Sequence, residues 1–128
     1  MAFGIIPFGL IGDLGKGLGY VDDVADVSRE FESFAEFKKV MGAAGEGKEW
    51  HHIVEQSQVL KSGFSQEMIN STDNILAVDK ATHGQISGFY SSLMYGTNIR
   101  VRNWLAGQSF EEQYKFGLKV LKKFGVIP

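Results

Sequence analysis

The stretch Lys48-Glu49-Trp50-His51-His52-Ile53-Val54-Glu55-Gln56 constrains this chain more than any other. It holds two of only three histidines in 128 residues, and the third, His83, follows 31 residues after His52. Trp50 through Val54 mixes aromatic, imidazole and β-branched side chains in the manner of a short strand. A second apolar run, Ile75-Leu76-Ala77-Val78, is introduced by Asp73-Asn74 and reads as another short strand. From Lys80 a helix is expected through Met94, with Ile86, Phe89, Tyr90 and Leu93 as its apolar stripe and His83 on its first turn. Residues 48–94 are therefore strand, loop, strand, helix, with histidine at each end.

The remainder reads as mostly helical. Val24, Val27, Phe31, Phe34 and Met41 keep three-and-four spacing across residues 21–41. Ser33-Phe34-Ala35-Glu36 has the form of a capping box, which allows a break near residue 33, and Gly42 supplies the stop. Gly42 to Gly47 is a loop, and Ser57 to Asp73 is a polar connection with one helical turn at Gln66-Glu67-Met68-Ile69. Asn98 to Leu105 alternates apolar and basic residues and suggests a short strand or an extended loop. Ser109-Phe110-Glu111-Glu112 opens a helix with a capping serine and acid in the first turn. Phe110, Tyr114, Leu118 and Leu121 form the apolar face of that helix, and Gly125 ends it. The expected fold class is α+β: two short strands and a helix embedded in a mostly α-helical small domain, residues 21–128. An apolar, Gly-rich lead-in precedes it over residues 1–20. Gly12-Asp13-Leu14-Gly15-Lys16-Gly17 inside that lead-in fails the phosphate-loop template, because Gly17 follows the lysine.

Composition narrows the chemistry. The apolar and charged fractions, 44% and 22%, are those of an ordinary globular protein. Cysteine is absent, so disulfides and thiolate metal sites are excluded, and a metal would need histidine, carboxylate or amide ligands. The net charge is -2, but it is unevenly placed. Residues 1–79 carry 6 Lys+Arg against 13 Asp+Glu, whereas residues 80–128 carry 7 against 2. Such asymmetry can put a basic face on a nearly neutral protein, although Lys115, Lys119, Lys122 and Lys123 also fit a solvated helix face. No run suits a membrane span, and the N-terminus lacks the cationic start of a signal peptide. Asn70-Ser71-Thr72 matches a glycosylation sequon by coincidence of composition.

Adjacent histidines on a regular strand point to opposite faces. At a strand end, one imidazole can hold a metal while its neighbour reaches a substrate. Metal-assisted phosphodiester hydrolysis needs that division: a cation to offset charge on the phosphate, and a neutral imidazole to take a proton from water. Histidine suits the second role because its ordinary pKa is about 6.5. Trp50 reads as packing behind the pair. Lys80, Arg100 and Arg102 are candidate phosphate contacts, the arginines being equally compatible with an exposed edge.

The order Trp50-His51-His52-Ile53-Val54-Glu55-Gln56, then Asp73-Asn74-Ile75-Leu76-Ala77-Val78, then His83 resembles the HNH (ββα-metal) nucleases. Within them it is most similar to the WHH-type C-terminal toxin domains of bacterial polymorphic toxins, as in contact-dependent growth inhibition, Rhs and LXG systems. The motif covers about residues 48–90, and 37–47 and 104–110 are similar more loosely. The interval from Asn74 to His83 equals that of the nuclease colicins. The resemblance implies His51 and His83 as metal ligands and His52 as the general base that activates water. It implies Asn74 as the residue that braces the hairpin and orients the base through backbone contacts. The colicin-type site has a further histidine four residues after the helix ligand. Here that position is Ser87, so the third ligand would be water or a carboxylate such as Glu55. Two imidazoles favour Zn²⁺ or Ni²⁺, whereas Mg²⁺ prefers oxygen ligands, and Mn²⁺ stays open as well.

The leading expectation is a toxin endonuclease that hydrolyses DNA with a divalent metal ion. The resemblance implies export from a producing bacterium as part of a larger toxin and action in the cytoplasm of the target cell. It also implies a cognate immunity protein, expected to present carboxylates to the site. A second reading keeps the histidine pair and cuts RNA, where the 2′-hydroxyl is an internal nucleophile and metal is dispensable. A third is a non-catalytic interaction module with a structural metal, a role that normally takes four protein ligands.

Overall fold

A computed structural model describes residues 28–128; the lead-in 1–20 and the segment 21–27, with Val24 and Val27, lie outside the described residues. Helix α1, Phe34–Met41, begins where Ser33 Oγ accepts from the Glu36 backbone N–H at 3.1 Å. Residues 28–33 ahead of that cap are not helical, so the break anticipated near residue 33 is where the helix starts. Its buried residue is Phe37, while Met41 lies outside the core at 41% exposure. Gly42 ends the helix at a φ of 82°, with its N–H on the Lys38 carbonyl.

Strands β1, Lys48–His52, and β2, Ile75–Asp79, form a two-stranded antiparallel sheet with Trp50 opposite Ala77 and His51 opposite Leu76. Between them lie two short helices, α2 (Gln58–Ser62) and α3 (Gln66–Ile69), and a 3₁₀ turn at Thr72–Asn74. The anticipated turn at 66–69 is present, while the rest of the connection is more structured than its polar composition suggested. Helix α4, Lys80–Ser91, follows β2 directly. Ile86 and Tyr90 are its buried residues; Leu93 lies beyond the helix end and is half exposed, bridging to Arg100.

Residues 101–105 correct the expectation of a strand or extended loop. They form helix α5, Val101–Leu105, because Val101 and Leu105 sit four apart and are both buried. The alternation around Arg100 survives only as the single Leu93–Arg100 bridge. Helix α6, Phe110–Lys123, starts as expected, with Ser109 Oγ accepting from Glu112 N–H at 3.1 Å. It buries Phe110, Tyr114, Val120 and Leu121 against Ile53, Val54, Ile69 and Ile86. The architecture is therefore α+β, six helices around one small sheet among the described residues.

The core grips the chain just beyond the histidines. A Cβ on Gly117 of α6 would lie 2.5 Å from the Ile53 carbonyl oxygen and 2.7 Å from Ile53 Cγ2. Only glycine allows this approach, so α6 lies directly against the residue that follows His52.

Candidate functional site

Strand alternation decides where the two adjacent histidines go. Glu49 and His51 share one face of β1, and Trp50 and His52 share the other. On the first face, His83 of α4 meets both residues: its Nδ1 lies 2.6 Å from Glu49 Oε1, and its ring centroid is 5.4 Å from that of His51. On the second face, His52 packs edge-on against Phe34 at 4.7 Å and Trp50 against Phe37 at 5.1 Å. The Trp50 indole N–H donates to the Gly42 carbonyl at 3.0 Å, so Trp50 acts as packing and a tie to α1.

The strand ends at His52, and a cleft of about 900 Å³ wraps that end. His51, His52, Glu55, His83, Ser87 and Arg102 all line it, together with Glu49, Lys38 and Lys48. Lys80 and Arg100 are not among the lining residues. Lys80 is exposed at the start of α4, close enough to Glu49 to help hold its carboxyl below the usual range, behind the larger effect of the His83 hydrogen bond. Arg100 donates to the Ser91 carbonyl at 2.6 Å.

Arg102 and Glu55 form a bidentate pair at the cleft wall, Nε to Oε1 at 2.9 Å and Nη2 to Oε2 at 2.8 Å. Nη1 also donates to Ser91 Oγ. Both Glu55 oxygens are thus engaged by a guanidinium, which competes with any role as a metal ligand. Ser87 faces the cleft, and its carbonyl receives a long 3.5 Å contact from Arg102.

Asn74 lies beneath the cleft, fully buried. Its Oδ1 accepts from the Val54 N–H at 2.8 Å; its Nδ2 donates to the carbonyls of Val54 at 3.0 Å and Ile69 at 2.9 Å. Its own carbonyl accepts from the Ile53 N–H at 2.7 Å. One side chain therefore ties the exit of β1 to the entry of β2. This is the bracing anticipated for it, but its side chain makes no bond to His52.

Asn70 makes that bond instead, with Oδ1 3.0 Å from His52 Nε2. The sequon that begins at Asn70 has its amide in the core at 0% exposure. Asn70 was not apparent from sequence, since a lone asparagine in a polar connection carries no chemical signal. Glu49 carried one in its two-residue spacing from His51. Lys38 and Lys48 line the cleft although they belong to the acidic half of the chain, so charge along the sequence did not point to them.

Burial pushes the His51 pKa down to about 3, with the neighbouring His83 and His52 rings adding to the effect. Burial likewise pushes His52 down to about 4, against the upward pull of the Asn70 hydrogen bond and with a further downward push from His83. Both rings are neutral near pH 7, the form needed to bind a cation or accept a proton.

His51 Nε2 is fully buried and has no hydrogen-bond partner among the described residues. A buried ring nitrogen without a partner is costly unless something else binds it. Glu49 on His83 Nδ1 also matches the way carboxylates orient metal-bound imidazoles. His51 and His83 are the residues that could hold a cation. Among the described residues, no group of three or more His, Cys, Asp or Glu is arranged to hold a metal ion.

Comparison with known proteins adds no family: no protein-family model, no curated protein and no solved structure matches the chain. Among the described residues, no helix is long and apolar enough to cross a membrane.

Proposed function

We propose that this chain is a nuclease of the HNH, ββα-metal class that hydrolyses DNA phosphodiester bonds. The carrying observation is the convergence of His51, His52 and His83, from an antiparallel pair and the helix that follows it, on one open cleft. A divalent cation held by His51 and His83 would offset negative charge on the phosphate and the leaving oxygen. His52, on the other side of the strand end, accepts the proton of the attacking water. Asn74 holds the strand exit so that the two rings keep their places. Glu49 orients His83 from behind. Lys38 flanks the cleft and supplies positive charge for the substrate backbone, while Lys48 lines it with its ammonium paired to Asp79 at 3.1 Å. Arg102 reaches the same wall, where Glu55 holds it in a fixed orientation.

Through the sequence resemblance, the same reading makes the domain a toxin that acts in the cytoplasm of a target bacterium after delivery. Its protein partner would be an immunity protein that offers carboxylates to this cleft. An open cleft with two imidazoles argues against a structural metal in a non-catalytic module, because structural sites close with four ligands.

One observation favours the RNase reading as the second choice. The described residues offer two imidazoles without a third protein ligand, and two imidazoles suffice when the 2′-hydroxyl is the nucleophile. Incubating plasmid and total RNA separately with Mg²⁺, Mn²⁺ or Ni²⁺, and again with EDTA, separates the two. The expected outcome is plasmid nicking that requires the cation and stops with EDTA. RNA cleavage that survives EDTA, with plasmid untouched, would replace the DNA reading.

A further inference from the structure

The amide of Asn70 has its orientation fixed independently of His52. Asn70 Nδ2 lies 3.0 Å from the Gln66 backbone carbonyl and 3.0 Å from Gln66 Oε1. A backbone carbonyl only accepts, so the NH₂ end must face Gln66 and the oxygen must face His52. The 3.0 Å contact from Asn70 Oδ1 to His52 Nε2 therefore requires a proton on Nε2. With Nε2–H donating, the lone pair of the neutral ring is on Nδ1, which has no hydrogen-bond partner among the described residues. The other tautomer would set two lone pairs against each other in a site where both residues are almost wholly buried.

We infer that Asn70 is the positioning residue for His52, fixing the tautomer in which Nε2 carries the proton and Nδ1 is the nitrogen that accepts one. This rests on the reading of His52 as general base. It adds a direct side-chain partner to the backbone bracing by Asn74, whose three hydrogen bonds all go to the backbone of Val54 and Ile69. Helix α3 is the device that makes this possible. Ser65 caps it by accepting from Met68 N–H, Asn70 closes it, and the four-residue step from Gln66 to Asn70 aligns the amide with its anchor.

The test uses ¹⁵N spectroscopy of the imidazoles together with steady-state nicking. In the wild-type chain at neutral pH, His52 should show a protonated Nε2 and an unprotonated Nδ1. Asn70→Asp keeps an acceptor beside Nε2 but sets its second oxygen against the Gln66 carbonyl, so a folded Asn70→Asp chain should keep the Nε2 proton. Asn70→Leu matches the side chain in shape but removes the acceptor. The Gln66 carbonyl still receives the residue 70 backbone N–H at 2.8 Å, so the main polar loss falls on His52. In Asn70→Leu the His52 pattern should become mixed or switch to Nδ1–H, and kcat should fall about tenfold or more with KM little changed.

An Nδ1–H tautomer in the wild-type chain overturns the inference. So does a folded Asn70→Leu protein with the wild-type pattern. If Asn70→Leu does not fold, the wild-type spectrum decides alone, and an unprotonated Nε2 there overturns the inference. A tautomer that switches while nicking stays at the wild-type rate upholds the link between Asn70 and His52 and removes His52 as the base.

Discussion

His51 and His52 are neighbours in the chain, yet they occupy separate environments. His51 shares its face with Glu49 and meets His83, whereas His52 sits between Phe34 and the Asn70 amide. Both were identifiable in the sequence, as were His83 and the bracing role of Asn74, because rare residue types at defined spacing carry their own signal. Asn70 was hidden because its function arises only when the polar connection folds under β1. Neutral burial of the pair has a consequence for stability. Each ring has a folded pKa below its unfolded value, so above about pH 6.5 neither linkage opposes folding. As pH falls from about 6.5, the unfolded chain binds protons that the folded chain excludes until pH reaches about 4 for His52 and about 3 for His51. Urea denaturation from pH 7 to pH 4 should therefore show stability falling, with a total loss on the order of a few kcal/mol. Asp73, whose carboxyl is pushed up by burial, works in the opposite direction and softens the slope. His52→Gln should flatten the profile, and an unchanged slope in that variant would contradict neutral burial of the ring.

At the level of elements, helix starts and the two strands were legible, and the segment 98–105 was not. The Ser33 and Ser109 caps act through single side chains on local backbone, so sequence reveals them directly. In 98–105 two periodicities competed. Alternation at Ile99 and Val101 suggested a strand, but the four-residue step from Val101 to Leu105 buries both residues against the core, and burial decided the outcome. The contact between α6 and β1 was equally invisible, since a glycine within a helix reads as a mild defect. Gly117→Ala should cost roughly 1–3 kcal/mol, because the new methyl meets the Ile53 backbone and not a yielding side chain. Gly88→Ala on α4, with open space around its Cβ, should instead stabilise by roughly 0.5–1 kcal/mol. Thermal melts of the two variants check this, and equal shifts in one direction would contradict the close packing of α6 on the histidine strand.

For the whole molecule, the uneven charge of the sequence turns out to be a poor guide to the cleft. The basic half contributes Arg102, held by Glu55, whereas Lys38 and Lys48, the latter held by Asp79, come from the acidic half. Tertiary structure, not position along the chain, gathers the charge. The fold class was readable because two short strands among amphipathic helices leave few alternatives, while the depth and lining of the cleft depend on contacts far apart in sequence. The central claim is that His52 acts as the base in a cleft assembled from both faces of one strand. Plasmid nicking by His52→Ala, with its circular dichroism matched to the wild-type chain, tests it most directly. The account predicts a loss of about a hundredfold or more in rate with an unchanged spectrum; nicking at the wild-type rate by that folded variant would contradict it.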